Sequence, residues 1–122
     1  LHLDVAENLP PIAGNREDIE QVFSNLVANA LQEMSDGGSL DITLAGDDKC
    51  VYARIADSGG GIPEEHISKI FDPFFTTKPK GTGFGLSAVL RIVKNCNGRV
   101  SAANRPEGGA VFSLEFPVLK RA

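Results

Sequence analysis

Cysteine and histidine, which metal centres and nucleophilic triads so often need, are scarce in this chain, with two of each. Cys50 and Cys96 fit no metal-ligand spacing and read as reduced thiols packed in a core. His2 and His66 have no serine, cysteine or paired histidine at catalytic spacing. That excludes serine-hydrolase and cysteine-protease arrangements, and both read as surface residues. A basic excess is also missing. The 12 Lys and Arg face 16 Asp and Glu, a net charge of −4 that argues against a nucleic-acid partner. An anionic ligand then has to be attracted locally, by helix N-termini or a few lysines. No apolar run approaches the roughly 20 residues of a membrane span, so no membrane contact by this domain is expected. The first residues hold no basic region followed by an apolar run, so no signal peptide is visible. There is no internal repeat, low-complexity tract or linker. What remains is 122 residues, 42% hydrophobic and 23% charged, which suits one globular domain over 1–122.

Periodicity orders the elements. Leu3 to Val5 is a short strand candidate, broken by Pro10 and Pro11. Asn15 reads as a helix cap, with Glu17 and Asp18 in the first turn where the helix dipole favours acids. Ile19, Val22, Phe23, Leu26, Val27, Ala30, Leu31 and Met34 then follow helical spacing, which predicts a helix over 16–35, ended by Gly37 and Gly38. Ser39 to Gly46 and Cys50 to Ala56 alternate as two strands of a hairpin. Pro63 to Phe71 reads as a short helix with Pro63 in its first turn. Residues 72–83 show no periodicity and read as a mobile loop. A helical stripe from Leu86 to Val93 ends at Asn97 and Gly98. Arg99 to Ala103 and Ala110 to Phe116 form a closing hairpin around residues 106–109. The expected class is α+β: a two-layer α/β sandwich, with a mixed, mostly antiparallel sheet covered on one face by about three helices.

Four segments carry chemistry. Asn25 and Asn29 lie four residues apart, on one ridge at the edge of the apolar stripe. Their amide oxygens suit a hard cation and their amide nitrogens suit phosphate oxygens; a pair of surface or capping asparagines is the alternative. Asp57 ends a strand directly before Gly59 and Gly61. A carboxylate there can accept a hydrogen bond from the 6-amino group of adenine, and the glycines let backbone approach a flat ring. A plain Asp-Ser-Gly-Gly turn is the alternative. Phe71, Phe74 and Phe75 frame Pro73, either as core or as the anchor of a lid. Gly81-Thr82-Gly83-Phe84-Gly85-Leu86 opens a helix, where free N–H groups suit phosphate, with Lys78 and Lys80 as local charge. The spacing is neither a dinucleotide-binding fingerprint nor a P-loop, and taken alone it fits a hinge equally well.

In this order the segments resemble the catalytic and ATP-binding domain of bacterial sensor histidine kinases. That GHKL superfamily also holds gyrase, the large heat-shock chaperone ATPases and MutL-type repair proteins. Asn25 to Asn29 match its N box, Asp57 to Gly61 its first glycine box, Phe71 to Phe75 its F box and Gly81 to Gly85 its second glycine box. Asp72 to Lys78, with the glycine segment after it, resembles the nitrogen-regulation type of kinase. The resemblance covers nearly the whole chain.

The resemblance implies ATP and Mg2+ as cofactors. Asn29 would be the magnesium ligand, and Asn25 would support phosphate or metal. Asp57 would bind the adenine amine, beside Gly59, Gly61 and Ile62. Gly81, Thr82, Gly83, Gly85 and Leu86 would meet the phosphates under a lid over 72–83. Gln32 stands where many members carry a basic phosphate contact, which moves that task toward Lys78. Val111 stands where many carry a threonine. ATP-hydrolysing relatives place a glutamate at the position of Asn25, and an amide cannot take a proton at neutral pH. The implied activity is therefore a protein-histidine kinase, with Asn25 and Asn29 as its catalytic pair. It would donate the γ-phosphate to a histidine on a separate dimerisation domain, with a response regulator downstream. That domain is not legible in this sequence, so little activity is expected in isolation, and the implied location is cytoplasmic. The alternatives are a nucleotide-binding module without phosphotransfer and a GHKL-type ATPase or serine kinase.

Overall fold

The apolar stripe of the first helix and the alternation of the strands meet on one side of a sheet. A computed structural model describes residues 2–5, 16–34, 37–59, 61–67, 69–71 and 84–118. Within these, the strands are β1 (His2–Val5), β2 (Leu40–Gly46), β3 (Cys50–Asp57), β4 (Arg99–Asn104) and β5 (Ala110–Pro117), and the helices are α1 (Arg16–Glu33), α2 (Glu64–Ile67) and α3 (Phe84–Asn95). The sheet order is β1-β2-β3-β5-β4. β1 runs parallel to β2, and the remaining neighbours are antiparallel. The expected mixed sandwich is what forms. β5 inserts between β3 and β4, so the end of β3 lies beside the start of β5.

Val22, Leu26 and Ala30 of α1 are buried at helical spacing, and so are Val89, Ile92 and Val93 of α3. They pack on Ala53 and Ile55 of β3 and on Phe112, Leu114 and Phe116 of β5. Alternate residues Tyr52, Arg54 and Ser113 are exposed on the far face, as strand geometry requires. Leu26 is fully enclosed, with 0% exposure. Leu26→Ala is expected to lower unfolding free energy by about 2–5 kcal/mol, read from urea denaturation, because the site loses transfer energy and keeps a cavity.

α3 ends where Asn97 and Gly98 predicted. Asn97 takes a left-handed φ of 59°, and Gly98 N donates to Val93 O at 2.8 Å. A Cβ on Gly98 would run into the carbonyl of Glu115. The segment after Pro63 departs from expectation: its helix is Glu64–Ile67, not the whole of 63–71. Its turn bonds run three residues back, from His66 N to Pro63 O and from Lys69 N to His66 O, both 2.8 Å. The chain turns instead to deliver Ile70 to the core and Phe71 edge-on to Phe112, with centroids 6.2 Å apart at 88°.

Smaller corrections concern His66 and Cys50. His66 is half-buried rather than a surface residue. Cys96 is a core thiol as expected, but Cys50 is half-buried and shares its strand face with exposed Tyr52. The Tyr52 hydroxyl, desolvated and bonded to Asp47 at 3.2 Å, is pushed up to about 12. The expected cap Asn15 and the residues of the loop over 72–83 lie outside the described residues.

Candidate functional site

β3 delivers Asp57 to the interior with only 2% exposure. A carboxylate taken from water needs donors. Asp57 Oδ1 has two: Gly59 N at 2.9 Å and Ala110 N at 3.2 Å. Both of these bonds are to Oδ1, and Oδ2 takes part in neither. Backbone thus fixes one oxygen, and with it the direction of the other. That is how a buried acid can read a donor on a ligand.

Each flank of Asp57 is tied down. Ser58 N donates to Ser39 O at 3.1 Å, and Ser39 N donates back to Ser58 Oγ at 2.8 Å. Ser58 Oγ also donates to Met34 Sδ at 3.6 Å, which ties the glycine segment to the end of α1. Gly38 has a positive φ, and a Cβ there would meet Ser58 Oγ at 2.6 Å. Gly61 lies at φ +80°, and Ile62, half-buried against the core, follows it.

The opposing wall comes from the β4–β5 turn. Asn104 Oδ1 accepts from Ile62 N at 2.6 Å, and Asn104 Nδ2 donates to Ile62 O at 2.7 Å. Arg105 Nη1 donates to Asp57 O at 3.0 Å. The same guanidinium bonds Glu107 Oε1 through Nε at 3.0 Å and Nη2 at 2.6 Å. That bond holds the Glu107 carboxyl below its usual range. Gly109 backs directly onto the Asp57 carbonyl.

The other expected residues divide into two groups. Asn25 and Asn29 are half-buried on α1, and both have partners. They flank the buried ridge of Leu26 and Ala30, as their spacing predicted. Gln32, one turn on from Asn29, is exposed. Gly85 sits in the first turn of α3, next to Leu86, which packs against the core. α3 packs on α1, so the asparagine helix and the glycine-led helix are neighbours. Lys78, Gly81, Thr82 and Gly83 lie outside the described residues, as do Phe74 and Phe75.

Sequence reading missed Asn104, Arg105, Gly109 and Ala110, which appeared only as a hairpin turn and a strand start. Ala110, Phe112, Leu114 and Phe116 are the buried set, so Ala110 is the residue that reaches Asp57. Val111, one residue on, alternates to the other face.

The model for the family described as histidine kinase-, DNA gyrase B-, and HSP90-like ATPase matches residues 14–120. The chain belongs to that family. Among its relatives, sporulation kinase A of Bacillus subtilis is 42% identical over 106 residues, 87% of this chain and 18% of that protein. The histidine-protein kinase BaeS of Escherichia coli is 36% identical over 88% of this chain and 24% of its own length. The chain therefore spans about a fifth of the curated relatives it matches. Solved structures of the histidine kinase type have the same fold. The catalytic domain of the histidine kinase ThkA superposes with TM-score 0.82 at 37% identity, over 95% of this chain and 79% of that one. Full-length ShkA in complex with AMPPNP superposes with TM-score 0.84 at 28% identity, over 99% of this chain and 26% of that one. The histidine-kinase ATPase-domain resemblance drawn from the four segments is thereby established. The nitrogen-regulation subtype rested on residues mostly outside the described set.

Proposed function

We propose that residues 1–122 form the ATP-binding catalytic domain of a protein-histidine kinase. It binds ATP with Mg2+ and donates the γ-phosphate to a histidine on a separate dimerisation domain, for onward transfer to a response regulator, in the cytoplasm. The observation that carries this is Asp57, buried, with Oδ1 held by two backbone amides and Oδ2 outside both bonds. An acceptor so fixed suits the 6-amino group of adenine. Guanine has no amine at that position.

Ile62 and the glycine backbone at 59 and 61 supply the flat, close wall that a purine ring needs. Asn29 and Asn25 offer uncharged hard oxygen donors on one ridge, a donor set that fits a magnesium ion carrying most of its ligands as water and phosphate. When bound, that ion supplies charge neutralisation at the phosphates. Asn25 has no proton-accepting group at neutral pH, so it orients rather than activating a water. The first turn of α3 carries Gly85 and Leu86, and a helix N-terminus there suits phosphate oxygens. Gly81, Thr82, Gly83 and Lys78 lie outside the described residues and keep the phosphate-contact role that the family resemblance gives them. Gln32 is exposed and one turn beyond Asn29, so it contributes a rim contact at most.

The test is transfer. The chain is mixed with a purified dimeric helical phosphoacceptor domain and γ-labelled ATP, with magnesium or with EDTA. Magnesium-dependent label on the acceptor histidine is expected, and little turnover without the acceptor. Tight ATP binding with no transfer to any acceptor would leave a nucleotide-binding module and sink the kinase reading.

A further inference from the structure

The β4–β5 turn is closed by its own backbone, through Arg105 N to Gly109 O at 2.8 Å and Gly108 N to Arg105 O at 3.1 Å. Its side chains are not needed for that. They reach across to the glycine segment instead, Asn104 to Ile62 at one end and Arg105 to Asp57 at the other.

The bond to Asp57 has a specific geometric cause. The β3–β5 ladder ends at the pair Ala56↔Val111. The Asp57 carbonyl lies one residue further on, against Gly109. There it has no strand partner on that side, and a buried carbonyl without a partner costs about 1–3 kcal/mol. The Arg105 guanidinium fills the place with a charged donor, at 15% side-chain exposure. Arg105 is itself aimed, because Nε and Nη2 are both held by Glu107 Oε1. A planar fork with three of its groups engaged has little freedom left.

We infer that Arg105 is a positioning residue for base recognition: by fixing the main chain of Asp57 it fixes the direction of Oδ2, and so the preference for a 6-amino purine. The inference rests on the proposal that Asp57 accepts the adenine amine. Arg105 itself touches backbone and Glu107, so its effect passes through Asp57.

The readout is a ratio. Inosine triphosphate carries a 6-oxo group where ATP carries the amine. General destabilisation weakens both nucleotides alike, whereas misdirecting Oδ2 weakens ATP alone. Calorimetric Kd values for ATP and ITP are compared on the unmodified chain, Arg105→Met, Arg105→Lys, Glu107→Ala and Asp57→Asn. Arg105→Met is expected to lower the ATP preference about tenfold, the scale of one hydrogen bond. Arg105→Lys, which keeps a donor but not the fork, recovers part of it. Glu107 is exposed at 61%, so Glu107→Ala leaves folding untouched and is expected to lower the preference about threefold. If the unmodified chain prefers ATP and Asp57→Asn abolishes that, yet the Arg105 and Glu107 variants keep the ratio, Arg105 is only structural. If the unmodified chain binds ATP and ITP equally, the reading of Asp57 fails first and takes this inference with it.

Discussion

Asp57→Asn is expected to weaken ATP binding by about ten- to a hundredfold while leaving the fold in place. The substitution is nearly isosteric. Its amide oxygen still accepts from Gly59 N and Ala110 N, the two bonds that hold the side chain in the interior. The amide nitrogen then takes the place of Oδ2. A donor would face a donor, so the charged-acceptor bond to the adenine amine is lost and the amine is left desolvated. Bonds to charged groups contribute about 1.5–3 kcal/mol, and each 1.4 kcal/mol is tenfold in affinity. Calorimetry in magnesium and in EDTA reads both effects at once. On the unmodified chain binding should strengthen with magnesium. On the variant the magnesium increment should persist at a weaker overall affinity, because Asn25 and Asn29 lie on a different element. Equal affinity of the two proteins would remove Asp57 from base recognition.

The fold was legible because its signals were local. Val22, Leu26 and Ala30 announce a buried helix face by spacing alone, and the burial pattern of β5 follows the alternation of Ala110, Phe112, Leu114 and Phe116. The stop at Asn97 and Gly98 was legible too, since few residues other than Gly and Asn take a left-handed φ there. The segment after Pro63 was misjudged because its geometry is decided by what it must reach. Ile70 and Phe71 belong to the core, and the backbone after Ile67 bends to meet it through a turn rather than continuing the helix.

The site divides along the same line. Asp57 and Gly61 stood out as a short pattern and lie together. Asn104, Arg105 and Gly109 carried no such pattern. Their importance arises from β5 inserting between β3 and β4, which brings a turn some 50 residues away in sequence onto the Asp57 carbonyl. No periodicity in either segment encodes that meeting. The approach of the Ala110 amide to Asp57 has the same origin: strand phase relative to Asp57 is fixed by register, and register is set by pairing across the sheet.

Gly108 and Gly109 separate two kinds of glycine requirement, and their alanine variants should behave very differently. Both have positive φ, 107° and 91°. An L-residue in left-handed backbone costs about 1–2 kcal/mol, and Gly108→Ala should show that and little else, because nothing lies within 4 Å of a Cβ there. At Gly109 a Cβ would collide with the carbonyl oxygen of Asp57 and press on the Ser58 Cα. These are backbone atoms, so no side chain can rotate away. Overpacking of that kind adds about 1–3 kcal/mol, for a total of about 2–5, a large part of the stability of a domain this size. Relief requires the Asp57 peptide to move, which breaks the Arg105 bond and turns Oδ2 off its direction. Gly109→Ala should therefore lose both thermal stability and ATP affinity, and Gly108→Ala should keep its affinity with a melting temperature only a few degrees lower. Paired thermal melts and ATP titrations check this. Equal losses in the two variants would mean that φ strain alone governs the turn and that close approach to Asp57 is unimportant.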